Sequence, residues 1–249
     1  MLPENFAETF PPERVYISML LKFFKTHKKY MSKEDISKAT GIPQGESSGK
    51  VVPHIKYMLG MNLIEQVDDW YKLTSFGKIV CSMDRSLTEE ITAWCCHAFM
   101  CDNEDGAVLY NRAFQILKPG VEYSDDDFNK ILLEGLSSND TKRILSCFYS
   151  FYTKDSSFAK YKILSVNGNK IEFNSAPIKK TFIPLYGAFV CHYLYKYFPE
   201  RHQISISEFL QSTGFLNWFG LKEHEFKSII DQLAGSGYVK VSNLVNPPV

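Results

Sequence analysis

Three groups of side chains in this sequence have types and spacings that could do chemistry. The first is the loop Gly41-Ile42-Pro43-Gln44-Gly45-Glu46-Ser47-Ser48-Gly49-Lys50, which invites comparison with a phosphate-cradling P-loop. That motif needs Gly, four residues, then Gly-Lys-Ser/Thr after a buried strand. Here Gly45 stands one residue too close to Gly49, Lys50 is followed by Val51, and a helical pattern precedes. Nucleotide hydrolysis is not expected. An anion site is still open, because Pro53 suits the first turn of a helix whose N-terminus Ser47, Ser48, Gly49 and Lys50 would surround. A glycine-rich connection between two helices accounts for the same residues without any ligand.

The second group is Cys95, Cys96, His97 and Cys101. His97 and Cys101 share a helix face, but adjacent Cys95 and Cys96 point apart and no second Cys/His pair follows at metal spacing, so a packed core helix is expected. His192, between Cys191 and Tyr193, is read the same way, whereas His27 and His54 belong to a basic module and are candidates to face phosphate. The third group is the carboxylates Asp68, Asp69, Asp84, Glu89 and Glu90, close enough in sequence to converge on a divalent metal. Each also suits a turn or a helix N-terminus. No Ser-His-Asp or Cys-His arrangement supports a nucleophilic hydrolase.

These residues need elements to hold them. Val15, Met19, Leu20, Phe23 and Phe24 recur at helical spacing over residues 12–30, with lysines toward the C-terminal end. Ser32 caps a second helix that Gly41 stops. A third carries Ile55, Met58, Leu59 and Leu63, and Ile64 to Leu73 reads as two short strands around an Asp68-Asp69 turn. Helix, helix, helix, hairpin is the order of a winged helix-turn-helix. Beyond it, Leu87 to Met100 reads as an apolar helix opened by a Ser86/Glu89 capping box. A short helix follows Asp125-Asp126-Asp127, and Asn139 caps another through Ile144, Phe148 and Tyr152. Residues 161–173 form a hairpin about Asn167-Gly168, and Pro184 to Phe198 is a buried helix. Ser205 to Gln211, Leu221 to Leu233 and a strand Tyr238 to Val241 repeat the winged-helix order, with Pro247-Pro248 as a frayed tail. The fold class is therefore mostly α with small β wings, in three parts: a winged helix at 1–80, an acidic helical middle at 81–140, and a helical region with a hairpin and winged-helix-like elements at 141–249.

Composition narrows the function. With 249 residues, 45% hydrophobic and 22% charged, the chain can bury a core without disulfides, and its six cysteines read as reduced thiols. No apolar run reaches membrane-span length and the N-terminus lacks a signal-peptide pattern, so a cytoplasmic protein without a membrane partner is expected. Lys+Arg and Asp+Glu are equal at 28 each, which excludes coating nucleic acid by bulk charge. The charge is segregated, however. Residues 1–80 carry 11 basic and 9 acidic side chains, 81–140 carry 4 and 12, and 141–249 carry 13 and 7. The basic ends can bind an anion locally.

Several motifs taken together resemble a known family. Glu8-Thr9-Phe10-Pro11, the Gly41 to Val51 loop, Tyr57 to Ile64, Leu73 to Lys78, and Asp84 to Glu89 followed by Trp94 and His97 are similar, in order, to a bacterial domain family of unknown function. Its genes lie in phage-defence islands, beside PAPS-reductase-like and ATPase genes of DNA phosphorothioation systems. Members of the single-strand type are associated with the DNA nicking that accompanies sulfur insertion. The likeness covers about the first 110 residues. It implies a DNA-binding subunit, with DNA nicking as a candidate activity, working with those partner subunits, in which Asp84 and Glu89 occupy acidic positions and stand as candidate catalytic residues with a divalent metal. A non-enzymatic winged-helix scaffold for protein partners, with homo-oligomers left open, is the other expectation. If the first module docks on DNA, Lys33, Ser47, Ser48, Lys50, His54, Lys56 and Lys72 approach it, while Ile55, Met58 and Leu59 face the core.

Overall fold

Helix α1 spans Arg14–Thr26, and the residues it buries are Ile17, Leu20, Leu21, Phe23 and Phe24. This stripe is rotated from the one expected, leaving Val15 and Met19 exposed. The structure is a computed structural model that describes residues 1–136 and 140–242. Asn139, expected as a cap, and the Pro247-Pro248 tail lie outside the described residues. Helix α2 (Lys33–Thr40) begins and ends as the sequence indicates: Ser32 Oγ accepts the Asp35 N–H, and Gly41 takes φ +77°. Helix α3 (Val51–Gly60) leads into the antiparallel strands β1 (Ile64–Val67) and β2 (Trp70–Leu73), paired from Ile64 with Leu73 to Val67 with Trp70.

Helix α4 (Ser75–Met83) follows at once, with Thr74 Oγ1 accepting the Gly77 N–H at 2.9 Å. Gly77 is required there: a Cβ would stand 1.8 Å from the Leu63 carbonyl oxygen. Helix α5 starts at Glu90, three residues later than its apolar pattern suggests, and runs to Met100. The expected Ser86/Glu89 capping box does not form, because Leu87 turns at φ +53° and Asp84 takes the free N–H groups instead. Helices α6 (Val108–Ile116), α7 (Asp125–Leu133) and α8 (Thr141–Thr153) complete the middle.

Strand β3 (Glu122–Ser124) was not anticipated. It pairs with β5 (Lys170–Phe173), whose other neighbour is β4 (Leu164–Asn167), so the expected hairpin is part of a three-stranded antiparallel sheet. Its turn is Gly168-Asn169, one residue later than read, with φ +62° at Gly168. Helices α9 (Ile183–Tyr197), α10 (Ile206–Ser212), α11 (Phe215–Phe219) and α12 (Glu223–Gly235) close the chain. No strand forms at Tyr238 to Val241, where Tyr238 and Val241 lie exposed and the Tyr238 N–H donates back to the Leu233 carbonyl at the end of α12. The C-terminal wing is thus absent from the described residues. Among the described residues, twelve α-helices and two small antiparallel sheets make the fold mostly helical, and no helix is long and apolar enough to cross a membrane.

One apolar cluster runs from Phe6 to Leu233, across the boundaries expected near 80 and 140. Helix α5 lies inside it, and His97 is its polar pin. The ring accepts from the Tyr152 hydroxyl at Nδ1 (2.9 Å) and donates from Nε2 to the Trp218 carbonyl (2.8 Å), joining α5, α8 and α11. Acceptance at Nδ1 needs the neutral ring, and burial pushes its pKa down to about 3. His54 is the second buried imidazole, pushed down by burial to about 4. Above pH about 6.5 both rings are neutral folded or unfolded; below it the unfolded chain takes protons that the fold refuses. Stability should therefore fall by about 1.4 kcal/mol per pH unit for each histidine as the pH drops below about 6.5. Urea unfolding between pH 7 and 5 measures this, and a flat profile would contradict it.

Candidate nucleic-acid interface

In a DNA-reading winged helix the third helix must be open on one side. Here none of the ten residues of α3 is exposed. Tyr57 packs edge-on against Phe6 (4.8 Å between ring centroids) and near Phe151 of α8, while Gly60 lies so close to Met100 that a Cβ would meet its sulfur at 2.7 Å. Covered by the N-terminal segment, α1, α5 and α8, this helix cannot enter a groove.

The side chains expected around it are placed accordingly. Lys50 Nζ lies 2.6 Å from Glu13 and over the Tyr16 ring, and the hydrogen bond to Glu13 holds its pKa above the ordinary lysine value against partial burial. His54 is fully buried: the Glu13 N–H donates to its Nε2, and its Nδ1 donates to the Lys50 carbonyl. It cannot touch phosphate, contrary to the sequence expectation. Lys56 pairs with Glu8 (3.9 Å), Lys33 with Glu34 (3.8 Å) and Lys72 with Glu65 (3.5 Å). Ser47 and Ser48 are exposed on a loop pinned by a bridge between Gln44 and Gly49. Every lysine predicted on this face therefore has an acidic neighbour.

A different surface of the same module carries free cations. The end of α1 and the β1–β2 hairpin enclose a groove of about 600 Å³. Its cations are Lys25, Lys28, Lys29, Lys72 and Lys78, against Asp68 and Asp69 at the hairpin turn. Among the described residues, Lys25, Lys28, Lys29 and Lys78 form no ion pair. Trp70 forms the wall, fixed by donation of its indole N–H to the His27 carbonyl (3.2 Å) and by edge contacts with Phe23 and Phe24. Tyr30, 65% exposed, stands 6.2 Å from Trp70 at 71° between ring planes. The sequence signal was present in His27-Lys28-Lys29-Tyr30 and Trp70-Tyr71-Lys72, where bases and aromatics alternate. The sequence reading takes only His27 and Lys72 of this set toward phosphate or DNA, because it assigns the lysines near the end of α1 to the helix dipole.

The acids form a third locality. Asp84, 8% exposed, accepts from the Thr88 N–H (2.8 Å) and hydroxyl (3.2 Å) on one oxygen and from the Glu89 N–H (3.0 Å) on the other. Glu89 is exposed, and Glu90 pairs with Lys179 at 2.7 Å. All three act on the Tyr161 hydroxyl, whose pKa is raised first by burial and then by these charges, with Arg14 opposing.

No family model matches the chain and no relative was found among curated proteins. Two solved structures match in fold. A magnesium-bound SspB crystal structure superposes with a TM-score of 0.69 at 15% identity, covering 93% of this chain and 77% of that one. A second SspB crystal structure gives 0.62 at 13% identity with the same coverage. The chain shares the SspB fold.

That likeness makes magnesium worth testing on the acids described above, and Asp84 and Glu90 do not fit it. Both oxygens of Asp84 are already engaged by N–H and O–H donors, and Glu90 is neutralised by Lys179. Among the described residues no three His, Cys, Asp or Glu side chains are grouped to hold a metal ion. This includes Cys95, Cys96, His97 and Cys101, whose thiols burial pushes upward, Cys95 to about 12. Asp84 instead organises the turn into α5. Asp84→Ala should lower stability by about 2–3 kcal/mol, since it strands two backbone donors, whereas Glu89→Ala should stay within about 0.5 kcal/mol. Urea denaturation of the two variants checks this, and equal small effects would remove the structural role of Asp84.

Proposed function

We propose that this chain is a DNA-binding subunit of a bacterial DNA phosphorothioation or phage-defence system, acting beside PAPS-reductase-like and ATPase subunits. The observation that carries the DNA half of this reading is the groove between α1 and the hairpin, where unpaired lysines border aromatic rings. Free ammonium groups can exchange counterions for phosphates at little cost, whereas Lys50 would first have to leave Glu13. The system half rests on the resemblance of the first 110 residues and on the fold shared with SspB. The element order of α1, α2, α3 and the hairpin supports a winged helix whose wing side, rather than its third helix, meets DNA. Lys33, Ser47 and Ser48 remain accessible on the same module for further backbone contacts.

A scaffold role is favoured by one separate observation. Ile79 and Met83 on α4, and Val15 and Met19 on α1, are exposed apolar pairs one turn apart on helices that touch each other. Such pairs suit a protein partner and are compatible with the same chain binding DNA.

Titration of a labelled duplex at several salt concentrations tests the reading. The affinity should fall steeply with salt, and the double variant Lys28→Ala/Lys29→Ala should lower the slope of log K against log salt by about two, roughly one per lost phosphate contact. Lys50→Ala should leave that slope unchanged. Absence of binding at low salt would sink the DNA reading, and a slope that follows Lys50 rather than Lys28 and Lys29 would move the contact face back to the turn.

A further inference from the structure

The groove holds more than charge, and its second ingredient selects among nucleic acids. A phosphate surface needs only cations, yet this one has Tyr30 largely exposed, Tyr71 half-buried and Trp70 behind them. In a duplex the faces of the bases are covered by their stacked neighbours, so aromatic rings on a protein gain nothing from them. An unpaired base offers its face. Base stacking on an aromatic side chain is insensitive to sequence and works together with a basic track for the backbone. The volume, about 600 Å³, falls in the range of roughly 300–1,000 Å³ typical of clefts for small organic groups.

We infer that this groove receives an unpaired nucleotide of DNA, its base stacked against Tyr30 and Tyr71 and the flanking phosphates held by Lys28 and Lys29. This rests on the DNA-binding reading above and specifies its substrate as a single-stranded or locally opened segment. Three features favour a nucleotide over an acidic peptide. Tyr30 has its ring turned 71° from Trp70 and is mostly in solvent, which leaves it able to take a flat partner. Trp70 is locked by its hydrogen bond to His27, so the wall does not collapse onto Tyr30 when the groove is empty. Asp68 and Asp69 sit at the lip, where carboxylates of an acidic peptide would be repelled, while the amino groups of cytosine, adenine or guanine find acceptors. The buried third helix has the same consequence from the other side, since it leaves this module without a means of reading an intact major groove.

The intact chain can be titrated with a labelled single-stranded oligodeoxynucleotide of mixed sequence and with a duplex of equal length, followed by anisotropy and by quenching of Trp70. The two other tryptophans, Trp94 and Trp218, are buried away from the groove lining, so quenching reports on Trp70. Tyr30→Ala should weaken single-strand binding about tenfold, and Tyr30→Phe should restore it. Duplex binding should change by less than about twofold in both, because a paired base presents no face to the ring. Lys28→Ala should lower the single-strand salt slope by about 0.7, the value for one phosphate. Tyr30 is exposed enough that its removal leaves the core intact, which thermal unfolding verifies. Equal single-strand affinity for wild type and Tyr30→Ala, with lysine-dependent duplex binding intact, would overturn the inference while leaving the DNA function standing. Displacement of the oligonucleotide by polyglutamate at equal charge concentration would assign the groove to an acidic peptide and overturn it as well. Failure to bind either DNA at low salt would instead remove the functional reading on which it rests.

Discussion

Glu13 governs where the third helix can lie. Its carbonyl accepts the first N–H groups of α1, its carboxylate holds Lys50 at the start of α3, and its N–H donates into the ring of His54 one turn further on. Four hydrogen bonds from one residue therefore tie the origins of two helices together. The ion pair is only partly buried and contributes about 1 kcal/mol at most. The buried imidazole weighs more, because an unpaired ring nitrogen or backbone donor there would cost about 1–3 kcal/mol. With α3 held against α1, the N-terminal segment, α5 and α8 can close over it, and the module loses the open helix that its element order implies.

The surface chemistry follows from that closure. Once Lys50 and Lys56 are drawn toward Glu13 and Glu8, the charge they carry is spent locally. The lysines beyond the end of α1 have no such neighbours, since the chain there passes through His27-Lys28-Lys29-Tyr30 before any acid appears. Phe23 and Phe24 hold Trp70 beneath this stretch, and His27 stacks on Phe23 at 4.1 Å, so the same packing that ends the helix also sets the aromatic wall of the groove.

Much of the fold was legible where local chemistry decides it. Ser32 and Gly41 bounded α2, Asp68-Asp69 turned the first hairpin, and the apolar run through Trp94 and His97 was a core helix. What stayed hidden depended on partners far away in sequence. Strand β3 is three residues long and exists because β5 pairs with it, and Gly77 is explained only by Leu63 across the turn. Helix α4 is announced by Thr74, but its pattern is short and interrupted by that same glycine. Asp84 read as a cap for a helix or as a metal ligand; only the left-handed turn at Leu87 shows that it receives two N–H groups before the helix begins. Among the site residues, residue type gave the charge of each lysine, but which lysines are neutralised is a matter of tertiary contact.

That last distinction matters because the chain as a whole carries no net charge. Long-range attraction cannot gather a polyanion onto it, and screening confines any local field to about 10 Å at an ionic strength near 0.1 M. Binding must then come from a patch where cations outnumber acids within that distance. The groove meets the condition with four unpaired lysines, Lys72 being matched by Glu65, against two aspartates, while the turn into α3 does not, its cations being matched by Glu8, Glu13 and Glu34. The acidic stretch from 81 to 140 adds a boundary, since phosphates passing near it would be repelled. Neutral overall composition thus favours a short, placed contact over a long electrostatic footprint, and aromatic rings beside the cations supply affinity that charge alone, once screened, cannot.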